Sequence, residues 1–114
     1  MAYSPQDQDI LWPQGVDFGV VWPMQDGDTP ADLFGYSGVC QVRAEHSRTS
    51  ALYATLPVSI IDDSKVAVQI DRETSVLWEW DFGYYDVIII SADGVSRCVA
   101  QGTIIVDPVV TVLP

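Results

Sequence analysis

Apolar and polar residues alternate with a period of two along much of this chain, the spacing of strands that turn one face to a core and the other to water. Val16, Phe18, Val20 and Trp22 fall on one side of such a strand, with Asp17, Gly19 and Val21 on the other. Asp26-Gly27-Asp28 then reads as a turn, and residues 38–44 and 51–61 form extended runs on either side of a polar loop at 45–50. Pro57 has no amide hydrogen to give to a ladder, so the second run is expected to lie at a sheet edge or to be interrupted there. Val66, Val68 and Ile70 alternate again after Asp62-Asp63-Ser64. The strongest signal is the pair of β-branched runs at 84–90 and 95–106, joined through Asp93-Gly94 as a hairpin. A single short helical turn is expected after Asp71, whose carboxylate can accept from the free amides that open a helix.

These runs amount to about seven short strands with turn-rich connections. The pattern is that of an all-β protein, a single antiparallel β-sandwich of immunoglobulin-like or related type. Residues 1–13, with two prolines, read as an irregular N-terminal arm, 14–107 as the sandwich domain and 108–114 as an extended C-terminal tail. A length of 114 residues suits one core.

Charge narrows the partners. Sixteen acidic residues against five basic ones give a net charge of −11, which opposes any phosphate-neutralising mode of nucleic-acid binding, so no nucleic-acid partner is expected. The apolar runs are too short and too interrupted for a bilayer, and the polar residues 1–8 do not resemble a secretory leader, so no membrane association is expected either. The acids are read as keeping β edges apart in solution. The chain has no Asn and one Lys, Lys65. Cys40 and Cys98 share the parity of the expected core residues on their strands and are read as two buried thiols, with a disulfide between them left open.

Little in the sequence points to catalysis. His46 with Ser47 and Ser50 is a nominal base and nucleophile set, but it sits in a polar loop without the strand–turn–helix context that activates a serine. Asp62-Asp63 and Asp26-Gly27-Asp28 have no calcium-loop spacing and read as acidic turns. No catalytic residue, cofactor or metal is therefore expected. Two apolar groups stand out instead. Ile10, Leu11 and Trp12 in the arm are expected to dock on a neighbouring subunit, the competing reading being that they fold back over the open end of their own sandwich. Trp78 and Trp80 share parity, so an extended backbone would set them side by side as a sugar-stacking platform; otherwise they plug the end of the sandwich.

The order of several short motifs carries a resemblance. Gly15 to Phe18, Pro30 to Tyr36, Gln41-Val42-Arg43, Gly83 to Asp86, Ser91 to Arg97 and Gly102 to Pro108 follow one another as in the small β-sandwich domains of tailed-bacteriophage virion proteins. The chain resembles the LtfC-like domain of actinophage tail-associated proteins and the N-terminal domain of phage baseplate upper proteins over roughly residues 14–111. Phe34 and Cys40 depart from that pattern, where a Thr and a larger apolar residue are usual. The resemblance implies a non-enzymatic virion structural protein, an adaptor or decoration module of tail tip, baseplate or capsid. It further implies other virion proteins as partners, a homo-oligomer or many copies on a symmetric assembly, and a virion location after assembly in the host bacterial cytoplasm. A carbohydrate-binding module for host-surface attachment, using Trp78 and Trp80, is the alternative.

Overall fold

The computed structural model describes residues 5–111; residues 1–4 of the expected arm and 112–114 of the expected tail lie outside the described residues. In chain order the strands are β1 (Gln6–Asp7), β2 (Ile10–Gln14), β3 (Phe18–Pro23), β4 (Gln25–Asp26), β5 (Thr29–Pro30), β6 (Ser37–Arg43), β7 (Leu52–Ile61) and β8 (Lys65–Ile70). The helical turn α1 (Arg72–Ser75) follows, then β9 (Phe82–Ile90) and β10 (Ser96–Pro108). Asp71 caps α1 by accepting from the Thr74 amide at 2.9 Å, a bond that holds its carboxyl below the usual carboxylate value. The β9–β10 hairpin closes where expected. Gly94, at φ 88°, supplies the left-handed residue, and the Ser91 amide donates to the Val95 carbonyl at 2.9 Å.

Among the described residues the main sheet runs β1-β10-β9-β6-β7-β8-β3, with β2 also paired to β10, and β4–β5 forms a small separate hairpin. The sheet turns on β7. Its first half pairs with β6 as far as Pro57, and its second half pairs with β8 from Val58 onward. Pro57 thus marks an interruption: at this residue the strand leaves one ladder for the other. The two parts of the sheet face each other across a shared core, where Trp22 of β3 comes within 6.3 Å of Tyr85 of β9. Val42, Val66, Val87, Ile89 and Ile104 are fully buried there. The architecture is all-β and sandwich-like, as the alternation predicts.

The sheet is mixed, and this corrects the strictly antiparallel expectation. β1 and β2 both run parallel to β10, with Gln6 opposite Ala100 and Ile10 opposite Ile104. The arm expected over residues 1–13 is therefore, from Gln6 on, part of the domain. Ile10 (5% exposed) and Trp12 (1%) are core residues, and only Leu11 (60%) points to solvent. The expectation that Ile10, Leu11 and Trp12 dock on a neighbour is corrected accordingly: two of the three are committed to their own fold. The physical reason is period two over a short span, because Ile10 and Trp12 fall on one face of β2 and Leu11 on the other. Trp12 packs edge-on against Phe18 at 4.8 Å and against Trp78 at 5.6 Å. At the other end, β10 continues to Pro108, one residue into the expected tail, and the Val109 amide still donates to the Gln14 carbonyl at 3.2 Å.

The cysteines separate. Cys40 is buried in the core and Cys98 is half-buried; both are free thiols. A β-bulge accounts for the difference, since Cys98 opposes Ile88 while Ala100 opposes Val87, leaving Val99 as the extra residue. One inserted residue reverses parity, so Cys98 does not share the face of Ala100 and Ile104, and its expected place beside Cys40 is corrected. Burial, reinforced by the Asp86 charge, pushes the Cys40 thiol from its ordinary 9.0 up to about 12, and Cys98 is also raised, first by burial. A thiol whose folded pKa is raised gives stability that is complete below its unfolded value and is lost as pH climbs toward the folded one. Denaturant midpoints are thus expected to fall between pH 9 and 12, with the buried Tyr85 phenol contributing in the same direction. In native protein a thiol reagent is expected to modify Cys98 first and Cys40 only on unfolding. Equal modification rates would place both thiols on the same side of the sheet and contradict the bulge.

Candidate functional site

One end of the domain gathers most of its unusual surface. β6 finishes there at Arg43, β7 starts at Leu52, and β9 starts at Phe82 after the irregular segment 76–81. That segment has little freedom. The Gln14 side-chain amide donates to the carbonyls of Ser75 and Trp78, both at 2.9 Å, and the Gly15 amide donates to the buried Ser75 hydroxyl at 3.0 Å. The segment is not a strand, so the shared parity of Trp78 and Trp80 does not make a flat sugar platform. The two rings pack on each other at 4.8 Å, tilted by 34°, and both lie half-buried against the core. They close the end of the fold as the plug reading describes.

Their packing creates an apolar ledge. Tyr53 stacks nearly parallel on Trp80, at 5.9 Å and 12°, and remains partly exposed. Leu52, Tyr53, Leu77, Trp78, Trp80 and Phe82 line an open groove of about 570 Å³ with Glu79 and Asp81 beside them. Leu77 is 77% exposed and Val76 57%. Sequence reasoning found Trp78 and Trp80 but missed Leu52, Tyr53, Leu77 and Phe82. Their signal was faint, consisting only of large apolar residues where a helix ends and strands begin.

Beside the ledge lies a second, polar cleft. Phe82 meets Tyr84 edge-on at 5.4 Å, and Tyr84 stacks on His46 at 6.3 Å and 24°. The nominal His46, Ser47 and Ser50 set does not assemble. The Ser50 hydroxyl shares its one proton between the loop carbonyls of Ser47 (2.8 Å) and Glu45 (3.0 Å), and the Ser47 hydroxyl pairs with that of Thr49 at 2.9 Å. Both serines spend their hydroxyls on shaping the loop. Among the described residues, no three His, Cys, Asp or Glu side chains converge to hold a metal ion.

No family model and no curated protein matches the chain. Among solved structures the chain is similar to one described as the crystal structure of a chicken TCR, at a TM-score of 0.56 and 12% identity. The likeness covers 94% of this chain and 56% of the other, so the chain spans little more than half of that neighbour's length. The class is thereby defined: an all-β protein with an immunoglobulin-like fold. At this identity the likeness is one of fold.

Proposed function

We propose that this chain is a non-enzymatic structural protein of a bacteriophage virion, an adaptor or decoration module that works through protein contacts made by the ledge at 76–82. The ledge is the observation that carries the contact role. In a chain of net charge −11, Leu52, Tyr53, Leu77 and Phe82 line one groove with their apolar surface exposed to water, and Trp78 and Trp80 are half-buried beside them. Apolar patches of this kind mark interaction sites, and aromatic anchors concentrate binding energy. The virion setting is supported by the motif order from Gly15 to Pro108. In that setting the neighbours are other virion proteins, and the domain acts as a symmetric oligomer or as many copies on a symmetric shell.

Leu77→Glu and Phe82→Glu test this reading. Each replaces an exposed residue, so the melting temperature is expected to change little, while self-association by analytical ultracentrifugation or incorporation into particles is expected to fall by at least tenfold. Variants that assemble like the parent would remove the ledge as the contact. The near-parallel Tyr53–Trp80 stack favours the carbohydrate reading as the second choice. A saturable tryptophan-fluorescence change on titrating host-surface polysaccharide would select it.

A further inference from the structure

Three of the six basic side chains of this acidic protein line one cleft. Arg43, His46 and Arg48 surround a cavity of about 220 Å³ together with Gln41, Glu45, Ser47, Tyr84 and Asp86. Among the described residues Arg43, His46 and Arg48 make no ion pair, although Glu45 and Asp86 line the same cavity. The charges are kept apart, and the cleft presents both signs to whatever enters.

Two of its walls are held in place. The Arg43 guanidinium donates to the Ser50 carbonyl at 2.8 Å and to the Gln41 side-chain oxygen at 3.0 Å, which aims the fork while leaving further N–H groups unused. Tyr84 and His46 form a ring stack along one side. A planar guanidinium matches carboxylate and phosphate oxygens in pairs, and those bonds are roughly twice as strong as hydrogen bonds between neutral groups. The Glu45 and Asp86 carboxylates and the Gln41 amide in the same lining can accept hydrogen bonds, as hydroxyl-bearing ligands require. The volume lies below the roughly 300–1,000 Å³ of clefts that enclose drug-sized molecules, so one compact unit fits.

We propose that this cleft binds a single hydroxylated oxyanion, a sugar carrying a carboxylate or a phosphate. Arg43 and Arg48 take the oxyanion, the His46–Tyr84 stack bounds the ring, and Glu45, Asp86 and Gln41 receive its hydroxyls. The site is separate from the ledge and does not depend on it.

Titration calorimetry on the full chain at low ionic strength tests the assignment with four probes: glucuronate, glucose 6-phosphate, glucose and acetate. Saturable binding is expected for at least one of the first two, at least tenfold tighter than for glucose or acetate, and the better of the pair identifies carboxylate or phosphate as the group recognised. Arg48→Gln, an exposed change outside the hydrogen bonds that shape the loop, is expected to weaken that binding at least fivefold with an unchanged melting temperature. Glucose or acetate binding as tightly as the charged sugars would overturn the proposal. So would an absence of saturable binding to folded protein, or an Arg48→Gln variant that binds like the parent.

Discussion

A chain lacking residues 1–12 is expected not to fold. Removing them deletes β1 and most of β2, strips the parallel partner from β10 and takes Ile10 and Trp12 out of the core. Truncating a buried Trp costs about 3–5 kcal/mol and a buried Ile about 2–5, against a total stability of roughly 5–15 for a domain. The loss is therefore comparable with the whole. Circular dichroism and a thermal melt read the result, with Leu11→Ser as the control: a solvent-facing change on the same strand, it is expected to alter stability by about 0.5 kcal/mol or less. A truncated protein that melts cooperatively near the parent temperature would show that the segment is dispensable and return it to the role of a docking arm.

Replacing Gly102 by Ala is expected to destabilise the protein by about 3 kcal/mol or more. Gly102 lies at φ 155°, where side-chain-bearing residues are strained, and an added Cβ would run into the Gln8 backbone carbonyl. Backbone cannot swing aside as a side chain can, and Gln8 is tied on every side. Its amide donates to the Gln101 carbonyl at 2.9 Å, its carbonyl accepts from the Tyr85 hydroxyl at 2.7 Å, and its side-chain oxygen accepts from the Trp22 indole at 2.9 Å. Moving it disturbs both halves of the core at once. Gly27→Ala makes the comparison, since Gly27 also has a positive φ (66°) but has nothing within reach of a new Cβ. Strain alone predicts about 1–2 kcal/mol there. Denaturant titration of the two variants separates them; equal losses would mean that the Gln8 contact adds nothing.

Much of the fold was legible because period two and turn chemistry are local. The β3, β6 and β8 alternation, the Asp71 cap, the Gly94 turn and the break at Pro57 depend on neighbours within a few residues, and sequence carries those directly. Asp62 and Asp63, at φ 53° and 55°, show the same locality in a harder case: they take left-handed positions that Asn would favour in a chain that has no Asn. What escaped was non-local. The pairing of β2 with β10 joins residues more than ninety positions apart, and three apolar residues between prolines give no sign of their partner. The extra residue at Val99 cost one reversal of parity and with it the position of Cys98. Trp78 and Trp80 were recognisable as special, yet the ledge around them needed Tyr53 and Leu52 from another strand. The cleft needed Arg43 and Tyr84 brought beside a loop whose His46 had drawn notice only for its serines.

The parallel alignment of β2 with β10 has a mechanical consequence. Tension drawn between Gln6 and Pro108 pulls β2 toward its start and β10 toward its end, so neighbouring strands are dragged lengthwise past each other. The rungs from Ile10–Ile104 to Pro13–Asp107 then share the load together, whereas a hairpin pulled at its open end gives way one rung at a time. A domain strung between two anchored neighbours by its ends would hold as a shear joint, stiff along the line of pull while remaining no more stable than other small folds at rest.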